Sequence, residues 1–403
     1  MGGVTRPDTS DGAISIPPFF KENMTIDELT ELQMLNDCAW ECTVQSRWKE
    51  STQRYIANML IKNLELQDDL KKGRYSVRPT TDFYLNERGH IRKIEAPNVH
   101  DRVVHKSLTK NIIIPSLRPY VIYDNYASLT DRGTSFARKR LEIMLRRYIT
   151  HYGTDGYILL IDIRKYFENV DHDVLKSLIA PRISNQPEDV IGLLHYIIDT
   201  SSKTYKGLNL GGEPPQMFAV YYLNPVDQYI KVVKGVKYYG RYMDDMAIIC
   251  RTKQEAIALL SEIEAQLALL RLGINKEKTQ IVKLTHGFTF LQIKYSIMPT
   301  GKILKRPSRS KIVRERRRLK AFRRRYDEGD MKEPDIWNAY KSWCGTLLRE
   351  HNACHKTLLR MDKLYHSLFP MHVEPDKKVR PSRCAIVEMA YKEAKSEFLY
   401  HIV

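Results

Sequence analysis

The 403-residue chain has little cysteine: Cys38, Cys42, Cys250, Cys344, Cys354 and Cys384 are scattered too thinly for a disulfide framework or a compact zinc module. A reducing cytoplasm is the expected location. Long apolar runs are also missing. The longest, such as Tyr157 to Ile163, meet a charge well before the roughly 20 residues of a membrane span. Met1 to Phe20 lacks the charged start and apolar stretch of an export signal, so neither secretion nor membrane embedding is expected. No internal repeat or long low-complexity tract is present. Acid is scarce relative to base, 48 Asp and Glu against 65 Lys and Arg, for a net charge of +17. That surplus argues against an enzyme for a small neutral substrate and points to a polyanionic partner. What is present is core material: 43% hydrophobic residues over a length that allows two or three domains.

Gly, Pro and Ser among few apolar positions make the first 20 residues read as a loose arm. Thr25 and Glu28 have capping-box spacing ahead of Leu29, Leu32 and Leu35, and a second amphipathic run extends from about Ser51 to Leu70, before Gly73. Residues 1–74 are therefore an arm with helices. From Asp82 to Ala96 two short strands flank a Gly-containing turn, and a helix from about Asp101 to Ile114 is stopped by Pro115. Tyr157 to Ile163 reads as a strand buried on both faces that carries Asp162 at its end. Val236 to Cys250 reads as a hairpin with Tyr242-Met243-Asp244-Asp245 at its tip. Thr252 and Glu255 cap a helix with Ile257, Leu260, Ile263, Leu267 and Leu270 on its apolar face and Gly273 as its stop. Alternating strands and helices predict an α+β core.

Three carboxylates stand out, Asp162, Asp244 and Asp245. Two divalent ions about 4 Å apart need hard oxygen ligands from separate strands, one ion activating a hydroxyl while the other holds a triphosphate. The bland alternative is a helix cap and a solvated turn. Adjacent acids repel each other unless a metal compensates, and these lie between strands in a basic protein, which favours the metal.

The segments Tyr242-Met243-Asp244-Asp245 and Leu160-Ile161-Asp162-Ile163-Arg164-Lys165-Tyr166-Phe167 resemble the catalytic hairpin and first catalytic strand of reverse transcriptases, within their prokaryotic branch. The resemblance implies a right-hand polymerase with fingers (75–155), a palm (156–300, with a fingers-contributing insertion around 180–206) and a basic helical thumb with a tail (301–403). It implies that Asp162, Asp244 and the backbone carbonyl of Ile163 bind two Mg²⁺ ions, for which Mn²⁺ can substitute, with Asp245 beside them. It also makes Phe167 a steric gate, although a core aromatic is the plainer reading. A bulky ring under the incoming sugar leaves no room for a 2′-hydroxyl.

Arg92-Lys93-Ile94-Glu95-Ala96-Pro97 and Asp101-Arg102 resemble the segment that embraces the triphosphate, making Arg92, Lys93 and Arg102 phosphate ligands by implication; a solvated basic face is the plainer alternative. Gly207 to Gln216 resembles the strip beneath template and incoming base, with Gly211 allowing close approach and Gln216 beside it. Arg132-Gly133-Thr134 resembles a further fingers signature. Lys278 stands where the family's Lys could protonate pyrophosphate, and Gly287 to Leu291 resembles the primer grip, with Gln292 in place of the usual Gly.

Lys302 to Arg325 holds 13 Lys or Arg and a single acid, Glu315. Such a run is usually a solvated face, but this density favours a phosphate backbone, with Arg314, Arg316, Arg317, Arg318, Lys320 and Arg323 as its ligands. Trp337, Tyr340 and Trp343 suit packed thumb helices. The expected activity is RNA-directed DNA synthesis from dNTPs on an RNA template with a DNA or RNA primer. By resemblance the template is a dedicated non-coding RNA in a defence or retroelement setting, with an accessory protein as a further expected partner. A template-independent or protein-primed nucleotidyltransferase and a non-catalytic RNA-binding scaffold are the competing readings; the intact acid trio speaks against the scaffold.

Overall fold

The computed structural model describes residues 23–370 except 88, 89, 203 and 210. The arm read over the first 20 residues, the tail from 371 onward and Cys384 lie outside them. Two compact units emerge: one runs to Ser308 and takes in Glu350–Asn352, the other comprises Arg309–Arg349 and continues from Ala353.

The first unit begins with the expected capping box. The Thr25 hydroxyl accepts from Glu28 N, and the Glu28 carboxylate accepts from Thr25 N at 3.0 Å, starting α1 (Ile26–Leu29). Next come α2 (Leu32–Thr43), α3 (Glu50–Ala57) and α4 (Met59–Lys71). The single run expected from Ser51 to Leu70 breaks at Asn58, whose side chain turns back to the Arg54 carbonyl. Strands β1 (Thr81–Glu87) and β2 (His90–Ala96) form an antiparallel ribbon. Helix α5 (Val99–Leu108) does not end at Pro115. A π turn over Thr109–Ile113, closed by Ile114 N on the Thr109 carbonyl, leads without leaving helical backbone into α6 (Ile114–Leu117), which carries Pro115 near its start.

Helix α7 (Thr134–Tyr152) precedes β3 (Tyr157–Asp162), followed by α8 (Tyr166–Asn169), α9 (His172–Ile183), α10 (Glu188–Thr200), α11 (Glu213–Tyr222) and α12 (Asn224–Gln228). Then β4 (Tyr239–Tyr242), β5 (Asp245–Cys250), α13 (Lys253–Leu269) and β6 (Gln280–Lys283) complete a four-stranded antiparallel sheet ordered β4-β5-β3-β6. Side chains alternate across it. Leu159, Ile161, Met246 and Ile248 enter a core shared with α5, α9, α11 and α13, while Ile158, Ala247 and Ile249 pack with Leu141, Met144 and Tyr148 of α7. That double burial explains the unbroken apolar run of β3. Helix α13 buries Ala256, Leu259, Ile263 and Leu267 and leaves the expected Ile257 half exposed. Its stop is Arg271, at φ +56°, where Leu272 N bonds the Leu267 carbonyl, rather than Gly273.

A second sheet, β7 (Phe288–Phe290), β8 (Ile293–Ile297) and β9 (Ile303–Pro307), closes this unit. Strand β9 pairs with β8, so the boundary expected at residue 301 falls at Ser308 instead. The second unit holds α14 (Arg309–Asp327), α15 (Glu333–Glu350) and α16 (His355–Leu368) around Leu319, Ile336, Tyr340, Met361, Tyr365 and Phe369. Tyr340 stacks on Tyr365 at 4.7 Å, and Trp337 packs against both rings, as core burial predicts.

Candidate active site

The sheet brings the distant acids together. In the β3–β5 ladder Asp162 lies opposite Asp245, and continuing that register places Ile163 opposite Asp244. Asp162 O accepts from Asn275 N at 2.7 Å and Arg164 N donates to Gly273 O at 2.9 Å, so Asp162 faces its backbone groups toward the 273–279 segment. By the alternation of antiparallel pairing, the Ile163 carbonyl then faces the β5 side, where the acidic tip lies. The three acids are half-buried at the mouth of an apolar sheet. Lys278 Nζ lies 3.2 Å from Asp162 Oδ1, compensating its charge.

The loop between β4 and β5 has two residues, Met243 and Asp244, closed by the Tyr242–Asp245 pair. Met243 has φ +51° whereas Asp244 is not left-handed, the pattern of a type II′ loop, in which glycine is usual at the first position. A methionine there is strained, which is frequent at functional sites.

Among the described residues no three His, Cys, Asp or Glu side chains converge as a metal cage. Mg²⁺ does not require one: it is commonly held by one or two carboxylates together with substrate phosphates. Hard oxygens from Asp162, Asp244, Asp245 and the Ile163 carbonyl, on two adjacent strands, suit that mode.

Phe167 follows a left-handed Lys165 on α8, half-buried, its ring edge-on to the buried Tyr166 at 5.7 Å. Its carbonyl accepts from Leu208 N at 2.8 Å, which brings the 207–211 segment alongside. Gly211 makes a close backbone approach, but to the β1–β2 ribbon: a Cβ there would lie 2.2 Å from the Glu95 carbonyl oxygen. Gln216 is exposed on α11 and accepts from the Ser128 hydroxyl at 3.3 Å.

Other expected residues are spread wider. Arg92 stands opposite Leu85 in the ribbon, and Lys93 is exposed and paired with Asp82 and Glu95 at 2.8 and 2.7 Å. Arg102 turns to the Cys42 carbonyl at the end of α2, satisfying a helix-terminal acceptor rather than facing the acids. Arg132 binds the carbonyls of Tyr123 and Asn125 and so ties its own loop. On α14, Arg314, Arg316, Arg317 and Lys320 are exposed. Arg318 pairs with the buried Glu315 of its own helix at 2.7 Å and donates to the Ala339 carbonyl of α15 at 3.3 Å, and Arg323 donates to the Leu368 carbonyl of α16, so these two also hold the helices together.

Sequence reasoning missed Arg241 and Tyr239 and the wholly buried ionic cluster they form with Asp227, a residue that resemblance places only in the segment beneath template and incoming base. No local pattern signals it, since α12 reads Asn-Pro-Val-Asp-Gln and β4 reads Tyr-Gly-Arg-Tyr.

Comparison with known proteins accords with this geometry. Residues 71–295, more than half the chain, match the family model described as reverse transcriptase (RNA-dependent DNA polymerase). Solved structures similar to the chain include apo telomerase from Candida tropicalis truncated from its C-terminal domain, at 13% identity and TM-score 0.45, covering 62% of this chain and 60% of that one. Another is the apo telomerase from the same organism, at 13% identity and TM-score 0.44, covering 60% and 53%. The chain thus spans little more than half the length of these structures. A comparison with curated proteins finds no match. With an α+β palm, an acidic hairpin beside a strand-borne aspartate and a family match spanning both, the chain belongs to the reverse transcriptase family.

Proposed function

We propose that the chain is an RNA-directed DNA polymerase that extends a DNA or RNA primer on an RNA template with dNTPs. The observation that carries this reading is the register that sets Asp162 against Asp245 and leaves Asp244 at the tip. Asp162, Asp244, Asp245 and the Ile163 carbonyl would hold two Mg²⁺ ions, which when bound lower the pKa of the primer 3′-hydroxyl and neutralise the triphosphate. Phe167 excludes a 2′-hydroxyl from the sugar site, while Gly211 and Gln216 border the strip beside it. Lys278, adjacent to Asp162, supplies a proton to the departing pyrophosphate. Arg92 and Lys93 on the ribbon make a basic face for the triphosphate, whereas Arg102 is taken up by the end of α2. The exposed cations of α14 hold the nucleic-acid backbone.

The template is a dedicated non-coding RNA of a prokaryotic defence or retroelement system, read in the cytoplasm with an accessory protein. The +17 charge and the density of cations on α14 support a structured RNA as the standing partner.

The test is labelled-dNTP incorporation with Mg²⁺ by protein purified with its nucleic acid, protein stripped of it, and stripped protein given a generic primed RNA. Extension of the generic primer, or synthesis only with the co-purified RNA, supports the polymerase, the latter also its dedicated template. Synthesis without RNA transfers the palm to a template-independent enzyme, and silence in all three overturns the reading. Within an active enzyme, Phe167→Ala is expected to admit ribonucleotides; unchanged sugar selectivity removes the gate role. Arg316→Glu with Arg317→Glu is expected to weaken RNA binding and flatten its salt slope, whereas an unaltered slope makes α14 a solvated face.

A further inference from the structure

Arg241 stands in β4 immediately before the acidic tip, with no exposed side-chain surface. A buried guanidinium is tolerated only when its donors are taken, and here they are. Nε donates to Asp227 Oδ1 at 2.8 Å, and Nη2 to Asp227 Oδ2 at 2.5 Å and to the Val220 carbonyl at 2.9 Å. The remaining arm, Nη1, reaches into the loop and donates to the Met243 carbonyl at 2.9 Å. Asp227 is itself fixed by the Tyr239 hydroxyl at 2.5 Å. Burial alone would lower the Arg241 pKa; Asp227 more than reverses this, so the group stays cationic.

The Met243 carbonyl belongs to the peptide plane that joins Met243 to Asp244. A donor fixed on that oxygen orients the plane, and with it the direction in which Asp244 leaves the loop. The left-handed Met243 requires such a constraint, since an unsupported methionine relaxes out of that region.

We propose that Arg241 is a positioning residue for the catalytic hairpin: clamped by Asp227 and Tyr239, it fixes the Met243–Asp244 peptide and thereby aims the Asp244 carboxylate. The proposal rests on the reading of Asp244 as a metal-bearing acid. A merely structural ion pair can be exchanged for apolar residues of similar volume with little loss, whereas a positioning donor cannot.

The experiment uses the full chain with methyl-labelled methionine. It compares wild type, Tyr239→Phe and the double variant Arg241→Met with Asp227→Leu. In the double variant we expect cooperative melting and unchanged affinity for primed RNA. The Mg²⁺ concentration for half-maximal incorporation should rise by about tenfold or more, as on loss of an outer-sphere orienting group. The Met243 methyl resonance should shift or broaden. Tyr239→Phe should show the same two changes in smaller measure. Wild-type Mg²⁺ dependence with an unmoved Met243 resonance in the double variant overturns the proposal. Should that variant fail to fold, the same pair of results in Tyr239→Phe overturns it, and a shifted resonance with a raised Mg²⁺ requirement supports it. If Asp244→Asn polymerises normally, the metal reading fails on its own, while the Met243 resonance still reports whether Arg241 orients the loop.

Discussion

The first unit contains two hairpins built on the same device and used under different conditions. Strands β4 and β5 turn through Met243-Asp244, and β7 and β8 turn through Leu291-Gln292. Neither loop contains glycine, yet Met243, Leu291 and Gln292 all have positive φ, at 51°, 44° and 70°. In each an arginine donates to the carbonyl of the first loop residue: Arg241 to Met243 at 2.9 Å, and Arg138 of α7 to Leu291 at 2.7 Å. The environments differ. Arg241 and its partner Asp227 are wholly buried, whereas Arg138, paired with Glu350 at 2.5 Å, keeps 12% of its side chain exposed and Glu350 keeps 21%. A charge-assisted bond in a dry, fully paired site holds its geometry more stiffly than one bordering water. The stiffer brace belongs to the hairpin that carries acids.

Removing the braces is the strongest way to test that contrast. Arg241→Met alone strands a buried Asp227 and is expected to cost about 3–5 kcal/mol in denaturant unfolding of the first unit. Arg138→Met should cost about 1–3 kcal/mol, and equal losses would erase the distinction between the two hairpins. Relieving the loops comes next. Gln292→Gly and Met243→Gly should each stabilise by about 1 kcal/mol, because glycine takes positive φ without steric cost. Only Met243→Gly should lower incorporation more than a few-fold, the familiar exchange of activity for stability at a strained site. The smallest effect is expected at the β1–β2 ribbon. Gly211→Ala forces a Cβ onto the Glu95 carbonyl and should raise the KM for dNTP several-fold with little change in kcat, read from single-nucleotide kinetics; an unchanged KM would uncouple the ribbon from α11.

Much of this site was legible in the sequence because acids are conspicuous where they interrupt apolar strands. Asp162 at the end of β3 and the paired acids at the β4–β5 tip could be read from pattern alone, as could the ribbon and the charge of α14. The braces could not. Arg241 and Asp227 are 14 residues apart and meet only when α12 packs behind β4, and no periodicity announces such a contact. Local signals also misled where the backbone found another solution: a π turn carried the chain past Pro115, and Arg271 rather than Gly273 ended α13. Arg102 looked like a phosphate ligand by position but serves the end of α2, which depends on tertiary packing that spacing does not reveal.

The most direct test of the account is to count ions at the acidic tip. Mn²⁺ binding, followed by electron paramagnetic resonance on protein loaded with a chain-terminated primer, RNA template and dNTP, should show two ions per chain in the wild type and in Arg138→Met, with loss of at least one in Asp162→Asn and in Asp244→Asn. Two ions retained in both aspartate variants would contradict the central claim that β3 and the β4–β5 tip together form the metal-bearing site.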